Sequence, residues 1–470
     1  MKILLSYLFF VLFCVRSLFA QQFSEINLQE TFSYEEFMAY VKKYHPLVKQ
    51  AAITLKQSEV KLLKARGGFD PKIQTNFRTK EFKDKQYYDL FYTAFKVPTW
   101  YGVELQATYQ NNSGVYLNPQ NTVPDKGIYS AGLSVNALEG LLIDKRMADL
   151  KQAKLYIKET SEKQKLMVND ILYQASIAYL DWFKTYLEYS TYTDFLQNAK
   201  RRLRAVEQSV KAGSVAAIDS VEATIAVQTR SLKLEEMKLK MYKKKLKVST
   251  YLWDEDLPIE INESIQPLMP LRFNNLSIAP MLKQIEQGFD IENHPKIKAL
   301  NFKRKVIDIN KKLYTNKLLP KLKLTYNFLN SETDVKKLQL GEYKAKINFS
   351  TPILLRKERA YLQMSKLKLQ DNAIEIQATK LKINNKLQAN RYALTSFKKQ
   401  FGIANEMISN YRRLLAGAEK KYQMGESSLL AINLYEAKLI EGTVKQIATQ
   451  NKLFGAIVDL YNTSVLMTEL

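Results

Sequence analysis

The chain of 470 residues contains two histidines, His45 and His294, and each is followed by a proline. Imidazole is the side chain best suited to proton transfer and metal binding near neutral pH, so these two are the natural starting point for any chemistry. Neither has the company such chemistry requires. No second histidine lies at helical spacing from either one, and the single cysteine, Cys14, leaves no thiolate set to complete a metal site. Asp254 and Asp256 are paired carboxylates, but Pro258, Pro267, Pro270 and Pro280 mark their surroundings as a linker. No phosphate loop or nucleophile motif is present. The chain is therefore not expected to be an enzyme, and no catalytic residue, cofactor or metal is expected. Proline is favoured at the first position of a helix, so Pro46 and Pro295 should each open one.

The two His-Pro pairs belong to a longer duplication. At similar spacing each is followed by a second proline and an alternating segment, Pro71-Lys-Ile-Gln-Thr-Asn-Phe77 in one case and Pro320-Lys-Leu-Lys-Leu-Thr-Tyr-Asn-Phe328 in the other. A chain built twice suggests a function in what the two copies enclose together. The expected layout is a first repeat over residues 21–253, a linker over 254–283 and a second repeat over 284–470.

Residues 1–20 read as a secretory signal peptide. Lys2 precedes an apolar stretch over residues 3–15, and Phe19-Ala20 stands before Gln21-Gln22. The stretch is short for a membrane-spanning helix. An exported mature chain would then contain no cysteine.

A membrane can also be crossed by a closed β-barrel, whose strands show only alternation of apolar and polar residues. Ile73, Thr75 and Phe77 alternate with Lys72, Gln74, Asn76 and Arg78. The same pattern holds for residues 103–110, 129–136, 321–328 and 343–350, and less cleanly for 86–97. About four strands are expected between residues 72 and 137, and two between 321 and 350. A soluble sandwich would alternate as well. Three features favour a barrel: one short turn at residues 98–102 against long loops at 111–126 and 329–340, Trp100 and Tyr101 at the short turn, and lysines on the polar side.

Each strand block leads into a long stretch with no proline and few glycines. Residues 144–211 carry Met167, Ile171, Ala175, Ala178 and Trp182 at helical spacing, and residues 356–422 carry Ile376, Ile383, Leu387 and Leu394. Helices of that length would each run about 100 Å. Gly213 and Gly425 follow these stretches, and apolar periodicity then resumes, so each copy should contain a helical hairpin with its tip near one of these glycines.

This order of features resembles the TolC family of outer-membrane efflux proteins over nearly all of the expected mature chain. The residues carrying the resemblance are the duplicated His-Pro helix and proline-led strand, Gly127 and Gly341 where strands pass toward helices, and the tips. The tips read Gly213-Ser-Val-Ala-Ala-Ile-Asp219-Ser-Val-Glu222-Ala223 and Gly425-Glu-Ser-Ser-Leu-Leu-Ala-Ile-Asn433-Leu-Tyr435-Glu436-Ala437. The resemblance implies an α+β membrane protein made of two internal repeats, a homotrimer whose strands form one β-barrel in outer-membrane lipid above a long α-helical barrel in the periplasm. It also implies partners, a periplasmic adaptor protein and an inner-membrane transporter, and a role as exit duct for efflux or type I secretion. Gly213, Asp219, Ser220, Gly425, Glu426, Asn433 and Tyr435 are the candidates for the periplasmic constriction or adaptor contact.

Two features depart from the family's usual pattern. Four strands plus two would give a trimer eighteen strands in place of twelve, unless the additional hairpin lies outside the wall. Lys72, Arg78, Lys80, Lys321, Lys323, Lys344 and Lys346 should all face the pore lumen, which argues for an anion-preferring barrel. The net charge of +24 is dispersed and has no RNA-binding motif with it, so nucleic acid is not an expected partner. The competing reading is a secreted coiled-coil structural or adaptor protein of the periplasm, which explains the helices but gives the alternating strands no role.

Overall fold

The computed structural model describes residues 30–269, 289–331 and 341–469. The signal segment, Cys14, Pro270, Pro280 and most of the loop before Gly341 lie outside the described residues.

Seven helices are described: α1 (Tyr34–Tyr44), α2 (Pro46–Arg66), α3 (Lys145–Lys211), α4 (Ala217–Ser249), α5 (Pro295–Asn316), α6 (Arg356–Gln423) and α7 (Leu429–Ser464). One mixed-origin sheet contains β1 (Lys72–Phe82), β2 (Lys85–Pro98), β3 (Val103–Ser113), β4 (Ile128–Asn136), β5 (Lys321–Asn330) and β6 (Tyr343–Ser350). The described residues divide into two compact units, one within Met1–Ala52, Lys165–His294 and Leu381–Leu470, the other within Ile53–Gln164 and Pro295–Lys380.

The second unit holds the sheet. All its strands are antiparallel, in the order β6-β5-β4-β3-β2-β1. Local chemistry sets the turns. Lys83 and Asp84, both with positive φ, make the two-residue hairpin between β1 and β2, as a turn matching the twist of the strands requires. Tyr101 and Gly102, also at positive φ, close the β2–β3 turn, and the ring of neighbouring Trp100 lies 4.9 Å from that of Phe69. The β3–β4 loop is folded onto the sheet: Asn112 donates to the carbonyl of Asn121 at 2.7 Å, and the rings of Tyr87 and Tyr116 are 4.8 Å apart. A small core of Ile143, Met147, Ala148 and Leu313 packs where α3 begins beside α5.

One detail of the sequence reading is corrected here. Gly127 and Gly341 do not mark the passage from strand to helix. Each stands one or two residues before the last strand of its block, β4 or β6, and the helices start later, at Lys145 and Arg356. Asp144 initiates α3, its carboxylate accepting from the Met147 amide at 2.7 Å. Of the residues at helical spacing on α3, Ile171, Ala175, Ala178 and Trp182 are buried and Met167 is exposed.

The first unit is helical around one core. Ser33 and Glu36 form a capping box at the start of α1, and the Phe32 and Phe37 rings meet edge-on at 6.2 Å. Tyr34, Phe37 and Val41 are then buried against Leu172, Tyr179 and Trp182 of α3, with Leu394 of α6 and Phe454 and Val458 of α7 in the same core. The Tyr179 hydroxyl lies 2.8 Å from the carbonyl oxygens of both Phe32 and Leu268, which share its one proton. Burial raises the pKa of that phenol, so it stays a neutral donor. Residues Thr31–Phe32 pair in parallel with Gln266–Pro267.

Both histidines have structural surroundings in this unit. His45 is buried, its ring stacks on Tyr251 with centroids 5.5 Å apart, and its Nδ1 accepts from the Leu47 amide at 3.3 Å as α2 begins. His294 is likewise buried, with Nε2 3.2 Å from the Thr463 carbonyl oxygen.

Candidate functional site: the sheet faces and the helix tips

Side chains opposite one another in an antiparallel pair share a face, so the register assigns the strand residues to two faces. One face carries Ile73, Phe77, Phe91, Phe95 and Val97 on β1 and β2. It continues through Leu105, Ala107 and Tyr109 to Leu133, Ala131 and Tyr129, then through Tyr326 and Phe328 to Ala345 and Tyr343. Thr75 and Thr93 interrupt the apolar surface and satisfy each other at 3.0 Å. Much of this face is bare: Ile73 is 77% exposed and Ile347 72%. Apart from these threonines and the polar Asp89, Asn111 and Ser113 toward one end of β2 and β3, apolar side chains run across all six strands, and an exposed apolar face of that extent marks a surface that something covers.

The opposite face is polar. Lys72, Arg78 and Lys80 on β1 fall there with Lys96 on β2, Lys321 and Lys323 on β5, and Lys344 and Lys346 on β6. Gln74, Asn76, Gln106, Thr108, Gln110 and Asn327 share it. Neighbours on this face hydrogen-bond laterally, Lys96 to Gln74 at 3.1 Å and Gln106 to Asn327 at 2.8 Å. The seven basic residues expected to line a lumen therefore lie on one side of the sheet. Lys96 joins them from the segment whose alternation was weakest, because Leu90, Tyr92 and Ala94 occupy polar-face positions in β2.

In the helical unit the two hairpin turns, α3 to α4 and α6 to α7, are built alike. Gly213 (φ +71°) and Gly425 (φ +78°) adopt the left-handed conformation that glycine tolerates best. Ser214 donates to the Ser209 carbonyl at 3.0 Å and Gly213 to that of Val210 at 2.9 Å; Glu426 donates to Lys421 at 2.9 Å and Gly425 to Tyr422 at 3.0 Å. This is the Schellman ending twice over. Ser428 caps α7 through the Ala431 amide at 3.3 Å. Below the turns Val206, Ala223 and Leu429 form a small buried cluster.

Next to that cluster four helices meet in a charge network that single-residue reasoning missed. Glu436 of α7 is 1% exposed. Arg202 of α3 donates to both its carboxylate oxygens, at 2.9 and 3.2 Å, and Arg230 of α4 donates to Oε2. Arg202 also reaches Glu419 of α6 at 3.4 Å, and Asn433 donates to Glu222 at 3.1 Å. Burial lowers the Arg230 pKa, opposed by the nearby Glu436 charge. Of the expected tip residues, Asn433 joins this network. Gly213, Gly425 and Glu426 belong to the turns, while Asp219 and Ser220 lie in the first turn of α4. Tyr435 is half-buried one position before Glu436. The available signal was the Glu-Ala step shared by the two tips, Glu222-Ala223 and Glu436-Ala437. A groove of about 510 Å³ between α3, α4 and α7 lies alongside, lined by Tyr192, Glu222, Ile225, Arg230, Asn433 and Ile440 among others.

No protein-family model matches the sequence, and no curated protein does. Solved structures do. The Campylobacter jejuni CmeC outer-membrane channel superposes with a TM-score of 0.62 at 14% identity, over 92% of this chain and 85% of that one. CusC, described as forming a transmembrane channel, gives 0.63 at 13%, over 94% and 96%. The outer-membrane protein VceC of Vibrio cholerae gives 0.62 at 11%, over 92% and 95%. At these identities it is the architecture that is shared, and it is shared along almost the whole of both chains. The fold of this chain is that of the TolC-type outer-membrane channels.

Proposed function

We propose that this protein is an outer-membrane channel, the exit duct of an efflux or type I secretion system. The observation that carries the reading is the sorting of one sheet into a bare apolar face and a polar, basic one. Lipid covers the first and water the second, which is the condition of a barrel wall around an aqueous pore.

A lone six-stranded sheet cannot stay in a bilayer. Its edge strands β1 and β6 expose unpaired amides and carbonyls, and each unsatisfied group in hydrocarbon costs several kcal/mol. Pairing β1 of one copy with β6 of the next removes both edges. Three copies, the number the resemblance implies, would close a wall of eighteen strands, a size at which porins leave an aqueous channel. The additional hairpin of the first copy lies within the wall in this reading, because β1 to β4 are hydrogen-bonded in one sheet with β5 and β6.

The remaining assignments follow the same reading. Residues 1–20 direct export, and the two halves are internal repeats with the same order of elements. The long helices continue the pore through the periplasm. The tips, with Gly213, Asp219, Ser220, Gly425, Glu426, Asn433 and Tyr435, make the constriction or the contact with a periplasmic adaptor, through which an inner-membrane transporter delivers cargo. CmeC, OprN and MtrE, which share the fold, are described as outer-membrane channels.

Membrane fractionation followed by imaging of the detergent-extracted protein tests the reading. The expected result is a particle of threefold symmetry from the outer membrane, with eighteen strands in its wall. A soluble periplasmic filament would overturn it in favour of a coiled-coil structural protein.

A further inference from the structure

The charge on the polar face is lopsided beyond what the composition of the chain supplies. Within the six strands that face carries eight basic side chains and two carboxylates, Glu104 and Glu81. Glu81 stands at the outer end of β1, beyond the register irregularity at Lys80. At the chain's own proportion of 71 basic to 47 acidic residues, eight basic groups would come with about five carboxylates. Elsewhere lysines have partners close at hand, as Lys163 has Glu159 at 2.6 Å and Lys240 has Glu188 at 2.8 Å. On the sheet, Lys321 meets Glu139 at 4.0 Å, whereas Lys96 turns to the neutral amide of Gln74.

Register also places these charges in line. The row Lys72, Lys96, Gln106, Gly132, Asn327 and Lys344 crosses all six strands with three ammonium groups and no carboxylate. Basic residues pointing inward on edge strands also discourage unwanted pairing, and β1 and β6 are edges here. That explanation does not reach Lys96 on β2 or Lys321 and Lys323 on β5, which have neighbours on both sides. What all eight share is the face.

Resting on the channel reading, we propose that the barrel portion of the pore selects for negatively charged solutes, the basic face drawing anions in and holding small cations out. A concave, low-dielectric wall of one sign focuses its field on the enclosed water. Anionic cargo, or neutral cargo carried with its counter-anions, is the class such a lumen favours.

The test uses the full chain in lipid vesicles, with Cys14→Ser and one introduced thiol. Thr325→Cys lies on the basic face opposite Ser134 and Lys346, and Asn118→Cys lies in the β3–β4 loop. Each is reacted with a sulfonate-bearing and a trimethylammonium-bearing thiol reagent. Relative to the Asn118 thiol, the one at position 325 should prefer the sulfonate by at least about fivefold at low salt. The preference should collapse in 1 M salt, where screening reaches about 3 Å, and with Lys344→Glu and Lys346→Glu. A ratio of one or less overturns the inference. In planar bilayers under a KCl gradient, a reversal potential on the potassium side would do so as well. Ala107→Cys, on the apolar face, separates the two levels: if water-soluble reagents modify it as fast as the loop thiol, the sheet is not in lipid and the channel reading itself fails.

Discussion

Gln106 on β3 hydrogen-bonds Asn327 on β5 at 2.8 Å, although β4 runs between their strands. The residue beneath this bridge is Gly132, paired with both. A Cβ on Gly132 would stand 2.0 Å from the Tyr326 carbonyl oxygen and 2.4 Å from the Asn327 side chain. The strand joining the two halves of the chain therefore depends on a residue without a side chain. Gly132→Val should prevent assembly of the sheet, seen as loss of the detergent-resistant folded species on gels. Gly402→Ala, in α6 with nothing within 4 Å of the added carbon, should leave that species intact, since alanine favours helix by about 1 kcal/mol.

The Glu436 carboxylate should be worth much more than that of Glu419. Glu436 is buried between two guanidinium groups, and Glu419 is 46% exposed at 3.4 Å from Arg202. Removing one member of a buried ionic cluster leaves unpaired charge and costs about 3–5 kcal/mol, against about 0–1 kcal/mol for an exposed pair. Glu436→Gln should raise amide exchange rates throughout the tip segments of α3, α4 and α7, and Glu419→Gln should barely change them. Equal effects would contradict the assigned roles.

His45 should make the helical unit sensitive to mild acid. Burial lowers its pKa from the ordinary 6.5, so the unfolded chain takes up a proton at higher pH than the folded one. The stabilisation is present above pH 6.5 and is lost as pH falls below it toward the folded value. His45→Asn keeps an oxygen to accept from the Leu47 amide but removes the titration. Thermal melts between pH 7.5 and 5 should fall less steeply for this variant than for the natural chain.

Ala107 tests the lipid-facing surface. It sits mid-strand on the apolar face, opposite Phe95 and Ala131. Ala107→Lys should destabilise the inserted protein by about 2–4 kcal/mol, the cost of a lysine near the bilayer midplane. Gln110→Lys, three positions along on the polar face, should cost little. Urea titration of protein folded into vesicles reads both; a larger loss for Gln110→Lys would mean that the faces are assigned the wrong way round, and equal losses that neither face meets lipid alone.

Much of this was written in the order of residues. A period of two along residues 72–78 and 343–350 assigns each side chain to one of two faces, because successive Cβ atoms in a strand point oppositely. The absence of proline from residues 145–211 and 356–423 allows helices of 67 and 68 residues, and Gly213 and Gly425 stand where only glycine ends a helix this way at no cost. The segment Lys85–Pro98 was harder to read. Leu90, Tyr92 and Ala94 fill the polar face with carbon, and the alternation fades although the strand is the longest of the six.

What tertiary structure alone decided is which elements meet. Alternation says which side of Ile128–Asn136 is greasy, but not that this strand pairs with Lys321–Asn330 almost two hundred residues away. Hydrogen bonds between strands are made by the backbone, which is the same at every residue. The clamp on Glu436 was hidden for a related reason. Arg202 and Arg230 lie more than two hundred residues before it, and their convergence depends on how the helices are rotated about their axes. Sequence periodicity fixes the face each helix buries; the rotation that brings three charged tips to one point is set by packing.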